Sequence, residues 1–176
     1  MKKRYAALIF CAIGLLLGSV TSEAKKKPSV TAESAIVMDV QSGAILYEKN
    51  IDKREYPASI TKVMTALVAI ENSSLSETVT YSRNAVTNLE SGASNIEIQP
   101  GEKLSMEDSL YAILLMSANE ACNGVAEHVA GSIDNFVAMM NQKAKELGCT
   151  GTNFANANGL WMSNHYTTAH DMADRK

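Results

Sequence analysis

Tyr56-Pro57-Ala58-Ser59-Ile60-Thr61-Lys62-Val63-Met64-Thr65-Ala66-Leu67 is the stretch on which the reading of the fold turns. Ile60, Val63, Met64 and Leu67 recur at helical spacing, so a helix is expected to start near Ser59 and to bury that stripe. Pro57 disfavours the helical conformation for Tyr56 and makes the entry abrupt. Ser59 then falls in the first turn, with Lys62 one turn on and on the same face. A hydroxyl beside an amine at a helix N-terminus has the parts of an activated nucleophile. Ser-x-x-Lys is nonetheless a short pattern of common residues, and Ser22-Glu23-Ala24-Lys25 matches it too, so the wider chain has to decide.

Upstream, Lys2, Lys3 and Arg4 precede the apolar run from Ala6 to Leu17, and Ser22-Glu23-Ala24 supplies a small-x-small cleavage site, the pattern of an export leader over residues 1–24. The run is too short for a membrane span, which needs about 20 residues, so membrane contact is expected only through the leader. Residues 25–33 form a polar linker, and the rest is long enough for one domain with its own core. The formal net charge is −3, and the single basic cluster, Lys25-Lys26-Lys27, reads as a solvated tail, which argues against a nucleic-acid partner. Cys122 and Cys149 either pair or, in the case of Cys122, lie as a buried thiol in an apolar helix pattern. No zinc-ligand spacing occurs, and no metal or cofactor is expected.

Downstream of the linker, Ala35 to Val40 and Ala44 to Glu48, joined by Gln41-Ser42-Gly43, read as a hairpin. The helix at Ser59 should end near Asn72-Ser73-Ser74. Glu77 to Tyr81 reads as a short strand, Ser91 to Asn95 as a loop, and Ile96-Glu97-Ile98 as a further strand. Ser105 caps a helix whose buried face is read as Leu110, Ile113, Leu114 and Leu115. A second helix is expected from Asn119 to Ala130, stopped by Gly131. A third starts after Ser132 and carries Phe136, Val137, Met140, Ala144 and Leu147 inward. Strands followed by helices give an α/β or α+β plan. His128, His165 and His170 suggest no metal site, and Trp161 is read as packing under a loop.

Between the first two of those later helices lies Met116-Ser117-Ala118-Asn119-Glu120. Taken alone, Ser117 and Asn119 are what a helix cap uses. Following Ser59 and Lys62, they resemble the second motif of the penicillin-recognising serine enzymes. The likeness extends through Ile36 to Asp39, Gly43 to Tyr47, Tyr56 to Leu67, Pro100-Gly101-Glu102, Leu110 to Ala121, Ala126 to Ser132, Ala144 to Gly148, Asn158-Gly159-Leu160 and Asn164 to Asp171. On that colinearity residues 34–176 resemble the D-alanyl-D-alanine carboxypeptidases, low-molecular-weight penicillin-binding proteins of peptidase family S11.

The resemblance implies a β-lactamase/transpeptidase-like fold, an N-terminal hairpin plus a helical subdomain, and a location in the bacterial cell envelope. It implies as partners a peptidoglycan stem peptide ending in D-Ala-D-Ala and, as acylating inhibitors, β-lactams. Ser59 is then the nucleophile, Lys62 the general base, Ser117 the proton relay and Asn119 a substrate-binding residue. The backbone N–H of Ser59 would serve half of an oxyanion hole. The family's third motif, Lys-Thr-Gly, is not found; Cys149-Thr150-Gly151 lacks the cation and reads as a turn. In the family that strand lies later than residue 176, so the chain reads as a partial domain with its C-terminal strands missing. Little or no carboxypeptidase activity is expected of it, the alternative being a non-catalytic exported remnant. A class A β-lactamase would carry Asp where Ala118 stands and a later Glu-x-x-x-Asn, and neither is present.

Overall fold

The computed structural model describes residues 28–87 and 89–173. The leader read into residues 1–24, the first three residues of the linker and the final Asp174-Arg175-Lys176 lie outside the described residues. The chain divides into two units after Thr31, and every helix and strand described lies in the second. Among the described residues no helix is long and apolar enough to cross a membrane.

The hairpin forms as read. Strands β1 (Ala35–Met38) and β2 (Ile45–Lys49) run antiparallel, Val37 opposite Tyr47, with a register slip between Val37 and Met38. Its turn is built by Asp39, whose carboxylate accepts the Ser42 N–H at 2.7 Å and the Ser42 hydroxyl at 2.6 Å, while Gly43 takes the positive φ of 71° that the turn needs. Those bonds hold the Asp39 carboxyl below its ordinary value.

After a 3-10 turn over Ala58–Ile60, helix α1 (Thr61–Asn72) enters the body of the molecule. β3 (Thr78–Thr80), the short α2 (Arg83–Thr87) and β4 (Lys103–Ser105) follow, β3 and β4 pairing antiparallel. Helix α3 (Met106–Leu115) starts at the expected cap, the Asp108 N–H donating to Ser105 Oγ at 3.0 Å. Helix α4 (Asn119–Ala130) stops where Gly131 turns left-handed at φ 76°, its N–H donating to Glu127 O. Helix α5 (Ile133–Glu146) is capped by Ser132, and α6 (Ala169–Ala173) lies against β1.

Helix α4 is the axis of the core, packed by α1, α2, α3 and α5. It can lie so close to Tyr81 because residue 124 is glycine: a Cβ there would stand 2.3 Å from the Tyr81 ring. Burial pushes the Tyr81 phenol up to about 12, and its O–H donates to Ser109 Oγ at 2.8 Å. Phe136, Met140 and Ala144 of α5 are buried as read, while Val137 and Leu147 are half-buried.

Several expectations fail, each for a physical reason. Of the stripe read for α1, Met64 is buried and Leu67 packs against the core, but Ile60 and Val63 are exposed, because Thr61, Lys62 and Thr65, polar groups with buried partners, share the inner face with Val68 and Ala69. Leu114 and Leu115 are exposed as well: the face of α3 formed by Met106, Ser109, Leu110 and Ile113 turns them outward. Ile96-Glu97-Ile98 is not a strand, since Glu97 takes a φ of 62° and the partner of β3 is Lys103–Ser105 instead. Trp161 does not pack under a loop; it is 66% exposed. Of the two readings of the cysteines, the buried thiol holds: Cys122 is buried and free, and Cys149 is not bridged to it.

Candidate active site

Two short, strained backbones bring the first hydroxyls together. Ala58, just before Ser59, has a φ of 48°, and Ser117 itself has a φ of 55°, conformations that L residues adopt only where the surroundings impose them. Gly159 lies against that turn: a Cβ there would sit 2.0 Å from the Ala58 carbonyl oxygen, so the two backbones touch. Ser117 Oγ lies 3.0 Å from Ser59 Oγ and donates to it.

Lys62 projects from the first turn of α1 into a closed polar nest. It is 3% exposed, and its Nζ donates to the Asn158 carbonyl at 2.6 Å and to Asn119 Oδ1 at 2.9 Å, with Ser59 Oγ at 3.5 Å. A neutral amine has two N–H groups and one lone pair. The two shorter contacts are to acceptors that can only accept, so in the neutral form they use both hydrogens and leave the lone pair for the Ser59 hydroxyl. Burial pushes the Lys62 amine below its ordinary value, against the opposing pull of Cys122 and Glu120. Burial also pushes the Cys122 thiol up to about 12, which leaves it uncharged at neutral pH.

Asn119 opens α4 and does not cap it with its side chain. Besides accepting from Lys62, it donates through Nδ2 to Ser94 O at 2.8 Å, and its backbone N–H reaches the same oxygen at 2.9 Å. The next residue, Glu120, accepts the Ile96 N–H at 2.6 Å through Oε1, while Oε2 has no hydrogen-bond partner among the described residues. Asn119 and Glu120 thereby staple the loop around Gly92 to Ile96 to the start of α4.

The opposite wall is a segment with no regular structure, and it is the part that periodicity could not reveal. Thr65 Oγ1 donates to Ala157 O at 2.6 Å and Lys62 to Asn158 O, so consecutive carbonyls of this segment clamp the face of α1. Side-chain amides set its shape: the Gly159 N–H donates to Asn156 Oδ1 at 2.7 Å and the Leu160 N–H to Asn158 Oδ1 at 3.0 Å. His165 is buried behind it. Its Nδ1 accepts the Ala155 N–H at 3.0 Å, which puts the ring proton on Nε2, 2.8 Å from Thr61 Oγ1. Burial lowers the His165 pKa and keeps the ring neutral. The Asn-rich run ending in Gly159 was the available signal for this wall, since Asn and Gly supply such side-chain-built turns. His128 and His170 instead lie at the surface, against Glu77 and Asp52.

All four residues singled out in the sequence, Ser59, Lys62, Ser117 and Asn119, thus meet in one place. Ser59 and Asn119 line a cavity of about 410 Å³ together with Tyr56, Ser94, Asn158 and Trp161. A buried amine with a lowered pKa facing a hydroxyl, with a second hydroxyl in contact, has the parts for nucleophilic acyl transfer. Among the described residues no three His, Cys, Asp or Glu side chains gather as a metal site. A separate recess between α1 and α5, lined by Glu71, Gln142 and Lys143, contains no nucleophile of this kind.

Residues 21–174 match the sequence profile of the D-alanyl-D-alanine carboxypeptidases, Peptidase S11. The D-alanyl-D-alanine carboxypeptidase DacF of Bacillus subtilis is 36% identical over 97% of this chain and 46% of its own length. DacC of Escherichia coli is 37% identical over 83% of this chain and 38% of its own length. The chain therefore spans less than half the length of these relatives. Among solved structures, the D-alanyl-D-alanine carboxypeptidase DacD from Francisella tularensis superposes with a TM-score of 0.78 at 37% identity, over 84% of this chain and 36% of that one. Penicillin binding protein 5 from Haemophilus influenzae does so with a TM-score of 0.79 at 34% identity, over 84% of this chain and 44% of that one.

Proposed function

The chain belongs to the D-alanyl-D-alanine carboxypeptidase family, peptidase family S11, and from that membership we propose that the protein is a serine-type carboxypeptidase of the bacterial cell envelope, cleaving the terminal D-alanine from peptidoglycan stem peptides. Ser59 Oγ attacks the carbonyl of the D-Ala-D-Ala bond while Lys62, neutral, takes the hydroxyl proton. The tetrahedral intermediate collapses, the carbon–nitrogen bond breaks, and Ser117 passes a proton from Lys62 to the departing amine of D-alanine. The backbone N–H of Ser59 faces the developing oxyanion. Asn119, with one Nδ2 hydrogen committed to Ser94, offers the other to the substrate's peptide group. Water then adds to the acyl-enzyme, returning Ser59 and releasing the shortened peptide. β-Lactams acylate the same oxygen because their strained amide presents the same carbonyl.

A single observation carries the reading: the buried Lys62 amine, both of its neutral-state hydrogens claimed by Asn119 and Asn158, with the Ser59 hydroxyl as its remaining neighbour. The test is incubation with a fluorescent penicillin and with a D-Ala-D-Ala peptide, followed by peptide mapping and assay of free D-alanine. The expected result is a covalent label on Ser59 that is lost in Ser59→Ala, together with any release of D-alanine. A label on another residue, or labelling that survives Ser59→Ala, overturns the assignment.

A further inference from the structure

Tyr56 and Trp161 stand side by side at the rim of the cavity that holds Ser59, 58% and 66% exposed, with ring centroids 6.3 Å apart and planes tilted by 49°. Each ring rises from a fixed frame. Tyr56 precedes Pro57 and the 3-10 turn of Ser59, and its neighbour Glu55 exchanges backbone hydrogen bonds with Thr167 at 2.8 and 2.9 Å. Trp161 follows a turn closed by the Asn156 side chain, which accepts from Gly159 N–H and donates to Leu160 O at 2.8 Å. Exposed aromatic faces on rigid backbone are a pre-organised contact surface, since little entropy remains to be lost when something covers them.

The chemistry of the lining selects what that is. Tyr56, Ser94, Asn119, Asn158 and Trp161 are uncharged, and His165 is held neutral by burial. The Lys62 amine is turned away beneath the floor with its hydrogens engaged. A charged group would leave water here and find no counter-charge, whereas an aryl or aliphatic group would exchange water for two ring faces.

We infer that Tyr56 and Trp161 form a subsite for a neutral, apolar side group carried on the acyl half of the ligand, next to the carbonyl that Ser59 attacks. The inference rests on the acyl-transfer reading of that cavity, yet it can be tested without acylation. Trp161 is the sole tryptophan of the chain, so its emission reports on the subsite alone. The Ser59→Ala variant, which binds without reacting, is titrated with benzylpenicillin and with aminopenicillanic acid, the same bicyclic nucleus lacking the aryl side chain.

Saturable change in Trp161 emission is expected with both, benzylpenicillin binding roughly threefold to tenfold more tightly, the range of one or two aromatic contacts. Adding Tyr56→Ala to that variant should erase most of the preference while the emission signal persists. Equal affinities, an unchanged preference in the Tyr56→Ala background, or no response of Trp161 to either compound would overturn the subsite. The two readings fail separately: penicillin labelling of Ser59 with no side-chain preference removes the subsite and leaves the enzyme. A side-chain-dependent Trp161 response in a protein whose Ser59 is never labelled does the reverse.

Discussion

The helical body and the hairpin are built on opposite terms. The body encloses its own core: Phe136, Val125, Met106 and Ala121 are fully buried around α4, and every side chain of the candidate site hangs from its helices or from segments laced to them. The hairpin exposes Val37, Ile45 and Leu46, is approached by α6, and contributes nothing to the cavity around Ser59. Apolar sequence thus does different work in the two places. In the body it fixes a geometry in which a cation-forming group survives burial; in the hairpin it makes two strands whose outward residues lie open.

If that contrast is right, core truncation separates the regions most widely. Phe136→Ala should cost about 3–5 kcal/mol in denaturant unfolding, the usual loss for a buried ring. Leu46→Ala, at a residue 69% exposed, should stay within about 0.5 kcal/mol. A large loss at Leu46 would mean the hairpin has a partner of its own.

Two glycines sharpen the contrast next. Gly159→Ala drives a methyl into the Ala58 carbonyl and should destabilise by roughly 3 kcal/mol while abolishing penicillin labelling, because Ser59 shares that turn. Gly43→Ala, with the same sign of φ and open space around it, should cost about 1 kcal/mol and leave labelling unaffected.

Acid should act on the body before the hairpin. His165 is buried neutral, so its folded pKa lies below the ordinary 6.5 and the unfolded chain takes up the proton first. The stability that depends on neutral His165 is complete above pH 6.5 and is lost as the pH falls from there toward the folded value, by at most about 1.4 kcal/mol per pH unit. Protonation also sets a donor at Nδ1 against the Ala155 N–H. Hydrogen exchange at Ala155 should therefore accelerate below that pH while exchange in β1 does not, and His165→Gln should flatten the dependence. Ser105→Ala, which removes the α3 cap, should cost about 1 kcal/mol, measurable as a shift in the unfolding midpoint.

Local signals made much of the fold legible. The hairpin turn at Gly43, the caps at Ser105 and Ser132 and the stop at Gly131 are short-range chemistry, and each stands where its residue types put it. Inner faces were less legible wherever they are polar. Lys62 and Thr65 point inward because the carbonyls of Asn158 and Ala157 wait for them, and those partners lie more than ninety residues away. Ser59, Lys62, Ser117 and Asn119 could be named from two motifs, while Ser94, Glu120, Asn158 and His165, which hold them, could not. Their contribution is made through backbone groups and irregular turns that leave no period in the sequence.

The account depends most on the state of the Lys62 amine, and that can be measured without any substrate. Selectively labelled Lys62, followed by NMR through a pH titration, should lose its proton below the 10.5 of an ordinary lysine, and Asn119→Ala should move that midpoint because it removes an acceptor of the amine's hydrogens. A Lys62 that titrates at or above 10.5 would be a structural cation pinned among carbonyls, and Ser59 would have no base beside it.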